Sequence, residues 1–525
     1  MEKEMSCTIS KIRLINYKRF TDYTIEPNSR INILVGNNET GKSSILEAID
    51  IVASGNPKKI EAIGIDRLLN INVVNSFLRG EKRFENLPKI IIELYLSGKF
   101  DHTMNGKNNT ERKICDGIRL ICEPNPDYRT EITESLNCST DYFPYDYYSI
   151  RFSTFADEGY TGYKKKLRCF LIDSTNVNSE YATNEFVRRM YLHYTEDNLS
   201  ERISHKSNYR KLRNHYNAKI LKHLNEQLLA EPKYEFALRG GNSINIENDL
   251  MILEDEIEIN CKGTGKQVFV KTDFALSRAG ANVDVVLIEE PENHLSHVNL
   301  RKLIQKILDT REGQLFVTTH NSLISTRLEL NNLIILHDNE DYKPVMLKNL
   351  NKETANYFMK APPASIVEFS LSSKTILVEG PSEFMLFEIF YKTVIGNIPE
   401  HDDVHIIDVR GLSFKRYLEI AKLTGNKVAV ITDNDKDYQK NIVLKYSDFS
   451  SSNNVKIFSD PDNEKRTFEI VLFKDNKDLC LELFGSDAQE YMLKHKTDAA
   501  FSLLSQRKSI MVPDYIRRAI LWINE

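Results

Sequence analysis

Residues 31–52 read INILVGNNETGKSSILEAIDIV, and this stretch decides the fold. The run from Ile31 to Val35 is apolar enough for a buried strand, and Ile45 to Val52 carries helical patterning. Between them GNNETGKS matches GxxxxGK[ST] through Gly36, Gly41, Lys42 and Ser43. A strand that turns through glycines into a helix offers backbone N–H groups and a helix N-terminus to phosphate oxygens. Lys42 supplies a point charge for the outer phosphates and the Ser43 hydroxyl a magnesium ligand. Asn37 and Ser44 complete a loop expected to hold ATP with Mg²⁺. Without the strand before it and the helix after it, the motif would be only a glycine-rich turn.

Upstream, Ile12, Leu14 and Ile15 precede a polar turn at Tyr17 to Arg19, and Tyr23 and Ile25 follow, which reads as a strand pair. Residues 89–97 (KIIIELYLS) form a further strand, whereas the tyrosine-rich region from 100 to 150 shows no assignable pattern. From about 177 to 230 glycines thin out, and Phe186, Met190, Leu192, Leu212, Ile220, Leu221, Leu224 and Leu228 suggest a helical hairpin inserted into the first domain. Strands return at 285–290, 314–320 and 333–338. After APPAS at 361–365 a fresh series begins: strand 375–378, helix 383–394, strand 404–409, helix 415–423 and strand 427–432. Such alternation means a parallel sheet with helices on its faces. The expected class is α/β, with a P-loop domain over 1–365 and a second, Rossmann-like domain over 366–525.

Acidic residues stand at several strand ends. VVLIEEPENHL brings Glu289 and Glu290 out of a buried strand, the first suited to hold a metal and the second to orient or deprotonate a water. LFVTTHN places His320 after another buried strand, where it can sense a γ-phosphate. In the second domain KTILVEGPSE puts Glu379 at a strand end and Glu383 in the next helical turn, and VAVITDNDKD puts Asp433 and Asp435 at another. If the strand period continues, Asp433 and Asp435 point the same way and can grip one or two magnesium ions. Two such metals suit the attacking and leaving oxygens of a phosphodiester displacement. Taken singly, VEG and DND are most often turns; their joint occurrence after buried strands, with VRGLSF (Gly411) between them, favours a metal site.

The bulk properties set bounds. The chain has 525 residues, 41% hydrophobic and 28% charged, as in a globular protein of two to four domains. No apolar run reaches about 18 residues, so no membrane span is expected. The opening MEKEMSCTIS lacks the layout of a secretory signal, and the seven cysteines include no CxxC pair, so a reducing cytoplasm is expected. Net charge is −5 and announces no nucleic acid by itself. Two basic stretches could still supply a DNA-binding face: Lys164, Lys165, Lys166 and Arg168, and the run Arg202, Lys206, Arg210, Lys211, Arg213, Lys219 and Lys222. Such runs are usually solvated helix faces.

The P-loop, the late acidic strand end and the strand-ending His320 together resemble the ABC-type ATPase heads of the SMC and RecF kind. That resemblance implies ATP closed between two heads. KGTGKQ, with Gly263, Thr264, Gly265 and Gln267, stands as a degenerate signature segment, and Ser296 takes a place where many heads carry Asp. The second acidic set resembles the Toprim domain. A head followed by a Toprim domain resembles the OLD (overcoming lysogenisation defect) family of ATP-linked nucleases, which includes phage-defence effectors. The resemblance adds Glu469, in RTFEIVLF, as a further metal-site acid, and Lys496, in KHKTDAAFSLL, near the scissile phosphate, where it would offset transition-state charge.

The resemblance implies an ATP-regulated DNA endonuclease that uses Mg²⁺ or Mn²⁺, two ions in the Toprim site. It further implies a homodimer or higher oligomer, and an accessory partner such as a helicase-like protein or a retron reverse transcriptase with its reverse-transcribed DNA. The alternative is an ATP-switched clamp or scaffold that binds DNA without cutting. A topoisomerase would need a domain for its nucleophilic tyrosine, and a primase a zinc-binding cysteine set; neither is evident. The closing VPDYIRRAILWI reads as an amphipathic helix for core packing.

Overall fold

The computed structural model describes residues 7–98, 102–137, 142–161, 166–173, 187–188, 190–191, 195, 199–227, 235–238, 246–270, 272, 283–309, 313–337, 343–361, 365–410, 413–506 and 509–525. The chain divides into two compact units. The first comprises Met1–Phe170, Asn282–Leu287 and Arg311–Glu525; the second comprises Leu171–Ala281 and Ile288–Thr310.

The first unit opens on an antiparallel sheet. Its strands β1 (Thr8–Tyr17) and β2 (Phe20–Ile25) form the expected hairpin, closed by the Tyr17–Phe20 pair. A register shift between Ile9 and Lys11 moves the buried phase from Ile9 to Ile12 and Leu14, which is why clean alternation begins only at Ile12. With β3 (Ile31–Val35) set aside, β4 (Ile90–Ser97), β5 (Asn105–Gly106), β6 (Cys115–Pro124) and β7 (Tyr148–Thr154) complete the sheet in the order β2-β1-β4-β6-β5, β7 also pairing with β6. The stretch from 100 to 150 that shows no pattern in sequence thus contains β5, β6 and the start of β7. Arg119 breaks the apolar run of β6, yet it is 9% exposed, because Nε donates to Ser153 Oγ at 3.2 Å.

After β8 (Cys169–Asp173) and the small hairpin β9 (Leu253–Glu254) and β10 (Ile257–Glu258) of the second unit, the chain returns to the P-loop sheet through β11 (Val285–Glu289), β12 (Gln314–Thr318), β13 (Leu333–Ile335) and β14 (Val345–Met346). The order is β14-β13-β3-β12-β11-β8. Strand β3 runs parallel to both neighbours, and all five of its residues are buried, as a strand covered on both faces requires. Buried Asn32 is satisfied by donating to Asn28 O at 2.9 Å and Leu315 O at 3.3 Å.

The last sheet contains β15 (Lys374–Val378), β16 (Val404–Asp408), β17 (Lys427–Ile431) and β18 (Val455–Phe458), all parallel, in the order β16-β15-β17-β18. The three strands expected from sequence are present, with the helices Pro381–Ile395 and Phe414–Thr424 between them; β18 is additional. From β15 the chain steps to β16 on one side and then to β17 on the other. The carboxyl ends of β15 and β17 therefore flank a topological switch point, where α/β sheets place their ligands. The closing helix Asp514–Asn524 buries Tyr515, Ile516, Ala519, Ile520 and Ile523 in the core of this sheet, as its amphipathic pattern predicts.

In the second unit, the helix Leu199–His215 continues through a wider π-helical turn, Tyr216–Ile220, into Leu221–Gln227. Phe186, Leu192 and Leu228 of the expected hairpin lie outside the described residues. Leu212, Ile220 and Leu224 do not form a core: they are 66%, 56% and 42% exposed. Of the first basic stretch, Lys164 and Lys165 lie outside the described residues, and Arg168 pairs with Asp284.

Candidate nucleotide loop and carboxylate site

The P-loop follows β3 directly. Gly41 has φ 92° and caps the helix Lys42–Ser54, and a Cβ there would come within 2.5 Å of the Phe20 ring, so glycine is required on both counts. Lys42, 6% exposed, folds back and donates to Gly36 O and Asn37 O, each at 2.9 Å. These two carbonyls satisfy the buried ammonium. Ser43 is exposed and Ser44 half-buried in the first helical turn. His320 is exposed just beyond β12, the parallel neighbour of β3.

Glu289 and Glu290 belong to the second unit. Glu289 ends β11, and Glu290 adopts a left-handed φ of 38° with its Oε2 accepting from Asn293 Nδ2 at 2.8 Å. The degenerate signature segment has a structural part to play: Gln267, 3% exposed, donates to Lys262 O at 2.9 Å and Asn260 O at 3.3 Å.

At the switch point the sheet brings four acids and one lysine into mutual influence. Glu379 Oε1 accepts from the Thr432 hydroxyl and from the Asp433 N–H at 3.0 Å, tying the end of β15 to the end of β17. Glu383 is 8% exposed in the first turn of its helix. Burial, then the charges of Glu379 and Glu469, push its pKa up to about 7 against the pull of its own backbone N–H and of Lys496. Burial, then Glu379, Glu383 and Glu469, push Asp433 up to about 9.

Glu469 is 4% exposed; its Oε1 meets Lys496 Nζ at 2.9 Å, while its buried Oε2 has no hydrogen-bond partner. Burial pulls the Lys496 ammonium down, but Glu469, Asp433 and Glu383 outweigh that and hold its pKa above the usual lysine value. Five of the sequence-derived residues are therefore electrostatically coupled. Among the described residues, however, no three His, Cys, Asp or Glu side chains already converge to hold an ion. Glu379 is held by the backbone of the neighbouring strand and Glu469 by Lys496.

Asp435 corrects the strand-period argument. β17 ends at Ile431, and Asp435 and Lys436 have left-handed φ values of 49° and 70°, so the two-residue alternation does not reach them. Asp435 is exposed, and its N–H donates to Arg466 O at 3.2 Å. The residue between the two aspartates matters more than its place as a spacer suggests. Asn434 is 1% exposed, and its Nδ2 donates to the carbonyls of Asp460 at 2.8 Å, Asp462 at 2.9 Å and Lys465 at 3.4 Å. Asn434→Ala takes this donor from the Asp460 and Lys465 carbonyls, while Asp462 O keeps the Lys465 N–H at 2.9 Å, and is expected to cost about 2 kcal/mol, read as a lowered urea midpoint. Tyr515, buried in the closing helix, lies close enough that Asp433 and Glu383 add to the effect of burial in raising its phenol pKa well above normal. Nothing local in VPDY signals that proximity.

Comparison with known proteins agrees with both parts. Residues 371–435 match the model described as Overcoming lysogenization defect protein-like, TOPRIM domain. Residues 8–230 match an AAA ATPase domain. The chain has the ATPase–Toprim architecture of the OLD family. Residues 271–326 also match an AAA domain described as putative AbiEii toxin, Type IV TA system.

Among curated proteins, this OLD-type chain is 30% identical over 116 residues to structural maintenance of chromosomes protein 5 of Arabidopsis thaliana, covering 21% of this chain and 11% of that protein. It is 34% identical over 99 residues to the DNA replication and repair protein RecF of Clostridium botulinum, covering 18% of this chain and 26% of that one. The chain thus spans only about a tenth to a quarter of the length of these relatives. Among solved structures, an Smc head bound to the C-winged helix domain of ScpA aligns over 65% of this chain and 99% of its own, at 16% identity and a TM-score of 0.35. No helix among the described residues is long and apolar enough to cross a membrane.

Proposed function

We propose that this OLD-type chain is an ATP-regulated, metal-dependent DNA endonuclease, with a head over 1–365 governing a Toprim nuclease over 366–525. The observation that carries this reading is the coupling of Glu379, Glu383, Asp433 and Glu469 around Lys496 at the switch point between β15 and β17. Four acids repelling one another in a buried setting favour a cation. The orphaned Oε2 of Glu469 and the raised pKa values of Glu383 and Asp433 fit Mg²⁺ or Mn²⁺ as that cation.

When bound, such ions supply Lewis-acid stabilisation and activate water for phosphodiester hydrolysis. Glu379, Glu383, Asp433 and Glu469 would hold them, with Asp435 at the rim. Lys496 is half exposed and would turn from Glu469 to the scissile phosphate, neutralising charge that grows in the transition state. In the head, Gly36, Asn37, Gly41, Lys42, Ser43 and Ser44 would bind ATP with Mg²⁺, Glu289 and Glu290 would serve the metal and the attacking water, and His320 would sense the γ-phosphate.

Incubating the purified chain with plasmid and Mg²⁺ or Mn²⁺ tests this. Wild type should nick or cut, Glu379→Ala and Asp433→Ala should not, and Lys42→Ala should lose the response to ATP. Intact plasmid in every condition, with nucleotide and candidate partners added, would sink the nuclease reading. A clamp that binds DNA without cutting is favoured by one observation, the lack of a ready three-ligand group among the described residues. It predicts DNA retention without cleavage in the same assay.

The chain would act in the cytoplasm as a homodimer and anti-phage effector, alone or beside a helicase-like protein or a retron reverse transcriptase. Pairing is supported by Leu212, Tyr216, Ile220 and Leu224, which recur every four residues along one helical run and are all exposed. A Leu212→Asp/Ile220→Asp double variant is expected to halve the mass measured by light scattering. An unchanged mass would exclude this stripe as the pairing face.

A further inference from the structure

Within the first unit, a pocket of about 500 Å³ opens where β15, β16 and β17 begin, at the opposite end of those strands from the acids. It lies within the range of about 300–1,000 Å³ typical of small-molecule sites. Asn37 of the P-loop contributes to its wall, together with Lys343, Glu368, Ser370, Asp403 and His405.

Ser370 points to an occupant. It is 2% exposed, and its hydroxyl has no hydrogen-bond partner. Neighbouring polar groups are satisfied within the protein: Ser372 Oγ donates to Phe369 O at 2.9 Å, and Asn426 Nδ2 donates to the same carbonyl at 2.8 Å. A buried hydroxyl left over beside a cavity fits a partner bound in that cavity.

The charges narrow the class of that partner. Lys343 makes no ion pair among the described residues and can take one anionic group. Glu368 Oε1 meets His405 Nδ1 at 3.3 Å, an interaction that holds the carboxyl below its usual range, so it is charged near neutrality. Asp403 Oδ2 accepts from Ser373 Oγ at 2.5 Å. A carboxylate is the usual acceptor for ribose hydroxyls, as in dinucleotide-binding folds. His405 offsets Glu368, with which it pairs and which raises its pKa, so Asp403 and the unpaired lysine leave the pocket without net positive charge, which disfavours di- and triphosphates.

We propose that this pocket binds a ribonucleoside 5′-monophosphate: phosphate on Lys343, ribose hydroxyls on Glu368 and Asp403, and a ligand atom on the Ser370 hydroxyl. The site is separate from the carboxylate site and does not depend on the chain being a nuclease. It shares one residue with the P-loop, because Asn37 O receives Lys42 Nζ at 2.9 Å.

The test is calorimetric titration of AMP, GMP, CMP and UMP into the full chain carrying Lys42→Ala, which removes the P-loop's main phosphate charge. Saturable binding of at least one monophosphate is expected. Its deoxy form and ATP should bind about fivefold or more weakly, and inorganic phosphate not at all. Adding Lys343→Glu should weaken binding about tenfold and adding Ser370→Val about fivefold. Lys343 is on the surface, so its variant remains informative if Ser370→Val fails to fold. The proposal is overturned if no monophosphate binds below millimolar concentration, if deoxy forms or free phosphate bind equally well, or if Lys343→Glu leaves affinity unchanged.

Discussion

A Lys496→Gln chain is expected to cut plasmid about 10²–10³-fold more slowly than wild type, yet to bind Mn²⁺ more tightly without DNA. Both effects follow from one ammonium. Lys496 Nζ lies 2.9 Å from Glu469 Oε1 and is drawn also by Asp433 and Glu383, so without metal it is the cation that holds the acids together. An entering divalent ion must compete with that charge, and glutamine removes the competition while keeping much of the side chain's length. A gain of about tenfold in metal affinity is modest against the attraction between unit charges at about 4 Å in a partly buried site. Calorimetric titration with Mn²⁺ reads the gain, and single-turnover plasmid cleavage reads the loss. A purely structural lysine would lower both affinity and rate. Lower Mn²⁺ affinity in the variant would refute the place given to Lys496.

Stability of the metal-free chain is expected to fall as pH rises from about 4 to about 9. A free aspartate or glutamate titrates near 4, whereas Glu383 and Asp433 are held at about 7 and about 9 in the fold. The folded state therefore binds protons that the unfolded state has released. That stabilisation is fully present below pH 4 and is lost as pH climbs through the two folded values. Asp433→Asn removes the larger part of the penalty and should raise the melting temperature at pH 8 by about 3 °C or more, with little change at pH 5. Saturating Mg²⁺ should flatten the wild-type slope by stabilising the charged acids. Melting curves at pH 5, 7 and 9, with and without Mg²⁺, check all three outcomes. A melting temperature that rises with pH in the metal-free chain would contradict the coupling described here.

Much of the architecture was legible in the sequence because it rests on local signals. The P-loop needs a strand, glycines and a helix in immediate succession, and all three can be read from residues 31–52. The parallel series from β15 to β17 announced itself by apolar runs of strand length alternating with amphipathic helices. Strands β6 and β7 were illegible because Arg119 interrupts one apolar run, and its burial depends on Ser153, a residue 34 positions away. The helix through Leu212 and Ile220 is legible in sequence, but helical spacing shows which residues share a face, not whether anything covers it.

The carboxylates divide in the same way. Sequence alone identified strand ends that carry Glu379 and Asp433, because a buried strand followed by an acid is a local pattern. Only the tertiary structure decided their surroundings. The order β16-β15-β17-β18 puts those two ends side by side, and the Asn434 bonds to the 460–465 loop shape the turn that leaves Asp435 exposed. Packing also seats Lys496 against Glu469 and brings Tyr515 within the electrostatic influence of Asp433 and Glu383. The physical reason is range: backbone periodicity and glycine geometry act over a few residues, whereas charge coupling and burial depend on neighbours that only the folded chain brings together.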